Sequence, residues 1–531
     1  MHLSIFLQRI MVGVTLCAPW TATAQTGGQI DPGFGINGAA ELSYSSYVQT
    51  APLAIQPDQK IVMGYGFEAG STNPIAVARF DANGIPDALF GTNGVVTLAL
   101  DDYEYNDIYK TLPLPDGKLL LSINSYGDTE DLTRIVRLQA NGSLDSTFGV
   151  NGITKLSLNA SDLEEYLVDA VALPNGKYLF VGYISNNLDV FRSVVVRLNE
   201  NGTLDDTFDN DGILQLNPGI ADNGLVAIDQ LPDGKWLLAG TYSKLQGNDD
   251  LFLARLNALG TLDQGFGQNG ILKPTGLNNN VYTYDLEVLP DGSFYAAGVL
   301  FDDNFTLNDS WVSRFNANGT YDAAFGQNGT AIVDFGDFEE ARALAMQSDG
   351  KVLLAGYRVE NNLDNETQYF VGRLHADGTT DVSFANQGLL LGEVANDASA
   401  NGLAIQSDGK ILVSGFEAAL NSLDYDVFVR RYFSGTVGVT QSASLVQTAE
   451  IFPNPATDAT QLRFTLAQPT RFAIQLFNAE GKACAALQSE QNWPAGEHLL
   501  PMTLPFDLPK GQYQVVLMGQ SRAQAIPVVV K

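Results

Sequence analysis

Cysteine and histidine are nearly missing from this chain. Of two cysteines, Cys17 lies in an N-terminal apolar stretch and only Cys484 remains beyond it, so an intrachain disulfide is excluded and stability must come from packing. Of three histidines, His2 and His498 stand near the two ends, and His375 takes a turn position held elsewhere by Asp81, Asn199 or Asn257. A histidine-based triad or a zinc site therefore has no basis in the body of the chain. Basic residues are scarce as well: 29 Lys and Arg against 60 Asp and Glu give a net charge of −31. Such a field repels phosphate backbones and anionic membranes, which argues against a nucleic-acid partner. The acidity reads as solubility for an exported surface protein, with cation or basic-partner binding as the other reading. Beyond the first 24 residues no run approaches 18 apolar residues, so no helical membrane span is expected.

What is present is a repeat. Gly-x-x-Asp-x-x-Phe-x-x-x-Gly occurs seven times, with Asp31 and Phe34, Asp87 and Phe90, Asp145 and Phe148, Asp205 and Phe208, Asp263 and Phe266, Asp322 and Phe325, and Asp381 and Phe384, at intervals of roughly 58 residues. A unit of this kind cannot bury its apolar face alone and must stack on its neighbours. The second unit shows the order: Val95–Leu98, Ile108–Leu112, the turn Pro115-Asp116-Gly117-Lys118, Leu119–Leu121 and Ile135–Leu138. Four short strands per unit are expected, joined by Asp-Gly turns in which glycine takes a positive φ. Gly182, Gly240, Gly298, Gly356 and Gly415 recur in the third strand, where close approach of another backbone or a bend is expected.

Each fourth strand ends in an arginine: Arg79, Arg137, Arg197, Arg255, Arg314, Arg373 and Arg431. A part-buried guanidinium needs a carboxylate, so each is expected to bond a motif aspartate, with the motif phenylalanine wedged between units. Four-stranded units set radially make a β-propeller, and seven falls within the usual blade number. The motif loop is then expected to cross from one blade to the next. An open solenoid remains the alternative.

The pattern Gly-x-x-Asp-x-x-Phe-Gly-x-x-Gly, followed by Asp-Gly-Lys and a strand glycine, resembles the bacterial delta-60 repeat family over residues 28–434. The resemblance implies an exported repeat protein and no reaction. Asp209 and Ala385 depart from it where glycine is expected, which predicts looser turns there.

Residues 1–24 read as a signal peptide, with Arg9, an apolar stretch and Ala22-Thr23-Ala24 before the expected cleavage. Residues 435–449 read as an uncharged linker with a processing site. Residues 450–531 alternate apolar positions at Leu462, Phe464, Phe472, Ile474 and Leu476, which predicts a small β-sandwich. Phe452-Pro453-Asn454-Pro455-Ala456, Gly481-Lys482, Gly511-Gln512-Tyr513 and the terminal Lys531 resemble the C-terminal sorting domain of type IX secretion. That resemblance implies the type IX machinery as partner, removal of the tail, release or anchoring at the outer cell surface, and a Bacteroidota-type host. Turn chemistry alone is the competing reading of these Gly and Pro positions.

Catalytic motifs give little. The Gly-x-Gly-x-x-Gly matches at Gly33 and Gly265 fall inside the repeat motif, and no helix is expected after them to receive a pyrophosphate. The Gly-Lys pairs at Gly117, Gly176, Gly234, Gly350 and Gly409 sit in hairpins and lack a following Ser or Thr. Asp209-Asn210-Asp211-Gly212 lacks an EF-hand's first and closing ligands, having Thr207 and Pro218 there. No cofactor is indicated, although calcium held in another loop geometry stays open.

Acidic residues collect in the connections that do not repeat: Asp101 and Asp102, Asp249 and Asp250, Asp302 and Asp303, Asp334 and Asp337, Asp424 and Asp426. All belong to one expected face, the repeat motif and Asp-Gly hairpins to the other. Variation between units is what a binding surface needs, and equally what unconstrained loops show. The expectation is a monomeric, non-catalytic scaffold that binds glycan or protein. A carbohydrate-active enzyme using paired carboxylates, and a structural or adhesive surface component, are the alternatives.

Overall fold

The computed structural model describes residues 27–530 apart from 45–46, 50–52, 70–72, 101–104, 127–131, 159–161, 187–189, 219–221, 245–247, 259, 278–279, 302–307, 337, 360–365, 394, 420–423, 436–445, 447, 457–458, 467–468, 479–482, 506–507 and 520–522. The expected signal peptide, most of the linker, and the candidate residues Asp101, Asp102, Asp302, Asp303, Asp337, Gly481, Lys482 and Lys531 lie outside the described residues. The chain divides into two compact units between Thr436 and Val437.

The first unit is built from four-stranded antiparallel sheets, the form of propeller blades. In the second sheet the strands are Tyr105–Pro113, Leu119–Tyr126, Leu132–Leu138 and Ile153–Leu156, hydrogen-bonded in chain order. The middle strands are buried on both faces because neighbouring sheets cover them, as in Leu119–Tyr126, where all but the last residue is buried. Tight Asp-Gly turns join the first two strands. Gly117 has φ 84°, and Asp116 Oδ1 accepts the Lys118 amide at 3.2 Å.

The motif loop does not cross between sheets. It joins the third strand to the fourth of the same sheet, as Val136 pairing with Ile153 shows. The cause is local. Asp145 N donates to Arg137 O at 2.9 Å and Arg137 N to Gly152 O at 2.9 Å, which folds the loop back onto the strand it leaves. The frame read from sequence therefore shifts by one strand, and Val95–Leu98 is the outer strand of the first sheet.

That shift joins the two ends of the repeat body. Ala39–Tyr44, the first unit's leading strand, pairs antiparallel with Tyr425–Tyr432 and completes the last sheet, from Ala39 opposite Arg430 to Tyr44 opposite Tyr425. First strands of successive sheets also touch in an unbroken cycle, Ala395–Ile405 meeting Leu53–Ile55. Each core cluster draws on two neighbouring sheets: Leu120, Ile135 and Phe148 pack with Leu167, Phe180, Val194 and Val196.

The recurrent strand glycines face a neighbouring backbone. A Cβ on Gly182, Gly298 or Gly356 would run into the carbonyl oxygen of Tyr166, Tyr282 or Glu340, beside a bulge in the first strand.

The second unit has two antiparallel sheets, one of Thr448–Phe452, Ala459–Leu466 and Gly496–Thr503, the other of Ala483–Trp493, Thr470–Asn478, Gly511–Gly519 and Ala523–Val530. One core, with Leu462 and Phe464 from the first sheet and Ile474, Leu476, Val515 and Leu517 from the second, lies between them.

Candidate functional site

The repeat motif forms an inter-sheet latch. Arg79 meets Asp87 at 2.9 Å, Arg137 meets Asp145 at 2.8 Å, Arg197 meets Asp205 at 2.5 Å and Arg255 meets Asp263 at 2.7 Å. Arg314 meets Asp322 at 3.3 Å, Arg373 meets Asp381 at 2.9 Å and Arg431 meets Asp31 at 2.9 Å. Six of these guanidinium groups also lie 4.3–4.8 Å from the ring centres of Phe90, Phe148, Phe208, Phe266, Phe384 and Phe34. All seven motif phenylalanines, Phe325 included, are buried. The free arm of the arginine reaches the next sheet: Arg79 Nη1 donates to Ala140 O at 2.6 Å and Arg431 Nη1 to Ala82 O at 2.8 Å. At Arg314 the latch is looser. Ser293 replaces the hairpin lysine that elsewhere reaches the motif aspartate, and Arg314 Nε is buried without a hydrogen bond.

Electrostatics follow this geometry. Burial works against the Asp145 carboxylate, yet hydrogen bonds from Thr147 and the charge of Arg137 outweigh it and hold the pKa at about 2. Asp263 is held at about 2 first by Lys235, then by the Gly265 amide and Arg255.

The acidic residues of the non-repeating face do not converge as a set. Asp250 is buried and ion-paired with Lys244 at 2.8 Å, so it is not a free surface group. Asp249 accepts a hydrogen bond from Ser243 Oγ at 2.7 Å, Asp426 lies half-buried opposite Ser43, and Asp424 is exposed. Among the described residues of the set, Asp334 alone joins a cluster of three carboxylates. Its carboxylate and those of Asp309 and Glu339 offer ligand atoms within 4.8 Å of one another, at the junction of the fifth and sixth sheets.

A second grouping lies on the same side, where connections between successive sheets enter the first strands. Tyr47, Arg342, Tyr357, Thr367, Asp397, Ser399, Asn401 and Phe416 line a cavity of about 350 Å³. Arg342 is the extra residue at the bulge of Phe338–Met346, which turns its side chain out of the ladder. Its Nε donates to Glu340 Oε1 at 2.9 Å, and Tyr357 OH donates to Glu340 Oε2 at 3.0 Å. Tyr425 OH donates to Asp397 Oδ2 at 3.3 Å, and the Tyr425 ring meets Tyr47 edge-on at 5.4 Å. Burial raises the Asp397 pKa, opposed by Tyr425 and Arg342. Larger hollows of about 460 and 620 Å³ are lined by no charged side chain.

A third grouping lines the first strands of the second to fifth sheets. Lys110 Nζ meets Asp169 Oδ1 at 2.5 Å, while Asp229 and Asp285 accept the Val288 and Leu344 amides at 2.8 and 2.7 Å. Burial, then Asp169, pushes Asp285 up to about 7 against two amides and Lys110. Glu287 is pushed up to about 8 by burial, Asp285 and Asp229.

Of the tail residues, Asn454 Oδ1 accepts the Val529 amide at 2.9 Å, and Pro453 O accepts a hydrogen bond from Thr460 Oγ1 at 3.0 Å. Pro455 precedes Ala456, whose amide donates to Val529 O at 2.6 Å. Tyr513 OH donates to Pro509 O at 2.8 Å, and Gly511 opens the strand opposite Val530. These contacts fix the Pro-Asn-Pro turn to the last strand.

Four segments, 114–148, 173–208, 231–266 and 347–384, match the family described as "Domain of unknown function (DUF5122) beta-propeller". These four segments are similar to that beta-propeller repeat. Each matched segment runs from the hairpin turn, Asp-Gly in three and Asn175-Gly176 in 173–208, to the motif phenylalanine. No curated protein matches the chain in sequence. Among solved structures the chain is similar to polysaccharide lyase Uly1, at 11% identity and TM-score 0.41, over 71% of this chain and 89% of that one. It is similar to a PL25 ulvan lyase at 10% identity and TM-score 0.38, over 74% and 96%. The alpha-L-arabinofuranosidase arb93a from Fusarium graminearum is similar at 12% identity and TM-score 0.32, over 74% and 97%. Among the described residues no helix is long and apolar enough to cross a membrane.

Proposed function

We propose that residues 28–434 form a closed seven-bladed propeller that works as a non-catalytic binding module, taking a glycan in the cleft of Tyr47, Arg342, Tyr357 and Asp397. The observation that carries this reading is the cleft itself: aromatic rings, a guanidinium, a carboxylate and the amide of Asn401 around about 350 Å³. Sugar hydroxyls need donors and acceptors held at fixed angles, and sugar C–H faces need aromatic surface. The carboxylates argue for binding rather than hydrolysis. Glu340 and Asp397 come from neighbouring sheets, as a glycosidase pair would, but both Glu340 oxygens are engaged by Arg342 and Tyr357.

A glycan array on the purified chain, repeated with Asp397→Asn and Tyr47→Ala, tests this. Binding to one glycan class that both substitutions weaken at least tenfold supports it. Binding unaffected by either substitution, or none at all, refutes the cleft assignment, and release of shortened product refutes the non-catalytic reading.

We further infer a role for the tail in export. Residues 450–531 act as a type IX sorting domain for a chain exported by its signal peptide, carried by the Pro453-Asn454-Pro455 turn fixed to the last strand. Deleting 450–531 should leave the repeat body in the periplasm. Normal surface display of the truncated chain would sink the idea.

A further inference from the structure

The acidic cluster at the junction of the fifth and sixth sheets lies outside the cleft and has its own chemistry. Asp309 is the second residue of the strand Asn308–Phe315, Asp334 follows the strand Thr330–Val333, and Glu339 is the second residue of Phe338–Met346. Three chain segments, two from the fifth sheet and one from the sixth, thus supply one carboxylate each. Glu339 is completely buried, and neither of its oxygens has a hydrogen-bond partner of normal geometry. Burial works hardest against its charge; the Phe335 amide and Arg358, its cross-strand neighbour, favour the charged form, and Asp334 and Asp309 oppose it. A buried carboxylate without a hydrogen bond of normal geometry, set beside two other carboxylates, is a costly arrangement unless something positive completes it.

We propose that Asp309, Asp334 and Glu339 bind a calcium ion that ties the fifth sheet to the sixth. The spacing fits: two oxygens on one calcium at about 2.4 Å each are at most about 4.8 Å apart, and the ligand atoms of all three residues fall within 4.8 Å. The donor set is all oxygen, which suits a hard cation and not zinc or copper. A mixed set of buried and exposed carboxylates from three segments suits calcium's flexible coordination better than magnesium's rigid octahedron. The position also gives the ion a task. Asn308 and Phe338 form a bridge between these two sheets beside the cluster, so the ion would add to the contacts that already join them.

The test is thermal melting and calorimetric titration of the full chain with CaCl2 or MgCl2 against EGTA. Asp334→Asn removes an exposed ligand without disturbing the core, and Glu339→Gln removes the buried charge while keeping its shape. A calcium-dependent rise in melting temperature that both substitutions abolish, with Glu339→Gln melting above the wild-type chain in EGTA, is the expected result. A rise that survives both substitutions, an equal rise with magnesium, or no response to calcium overturns the proposal.

Discussion

Arg137 and Asp145 are eight residues apart in sequence and 2.8 Å apart in space, with Arg137 stacked on Phe148 and its Nη1 donating to Glu200 O in the following sheet at 2.5 Å. One side chain therefore closes its own loop and holds the next sheet. This joint recurs around the body, which makes the motif a fastening and leaves recognition to residues that do not repeat.

Breaking one joint should be expensive. In Arg137→Ala the Asp145 carboxylate, fully shielded from solvent, loses its guanidinium, and leaving one partner of a buried pair costs about 3–5 kcal/mol. Lys118 remains at 3.4 Å and softens the loss. Arg314→Ala should cost less, since that pair is longer and more exposed. Chemical denaturation of the two variants checks the order, and equal losses would contradict the latch.

Phe148→Ala removes a ring that contacts both the second and third sheets. Truncating a buried phenylalanine costs about 3–5 kcal/mol, so a clear fall in melting temperature is expected. An unchanged melting temperature would remove Phe148 from the seam.

Asp209 and Ala385 keep the left-handed backbone of the glycines they replace, with φ of 44° and 43° against 53° at Gly91. The turns are not looser; they are strained. A non-glycine residue in this region costs about 1–2 kcal/mol, and both side chains are exposed. Asp209→Gly and Ala385→Gly should each raise the melting temperature by a few degrees, read by calorimetry.

Recurrence made the latch legible before the structure: aspartate, phenylalanine and arginine return together, and a buried guanidinium has few partners to choose from. The frame was not legible, because Val95-Val96-Thr97-Leu98 can begin one sheet or end another and only pairing decides. The cleft was hidden for a different reason. Arg342 and Asp397 belong to different units, and nothing in either unit marks them as neighbours. For the third grouping a signal did exist: eight residues before the hairpin Lys or Ser, Lys110, Asp169 and Asp285 stand where Ala227 and Ala343 show an apolar choice. Positions that break the repeat on the first strand point at the groups the fold brings together.

Those residues also set the pH response. Asp285 and Glu287 face Lys110, Asp169 and Asp229, and in the folded chain they titrate at about 7 and about 8. In the unfolded chain carboxyls titrate near about 4. Between these limits the folded state holds protons that the unfolded state has lost, so these two groups make stability fall as pH rises from about 4 to about 8. Asp145 and Asp263, at about 2 in the folded chain, act in the opposite sense, and their contribution disappears as pH falls from about 4 towards about 2. Glu287→Gln removes one alkaline contribution without adding charge. It should therefore match the wild-type melting temperature near pH 4 and exceed it increasingly up to pH 8.5, and parallel melting curves across that range would show that Glu287 ionises in the folded chain much as it does in the unfolded one.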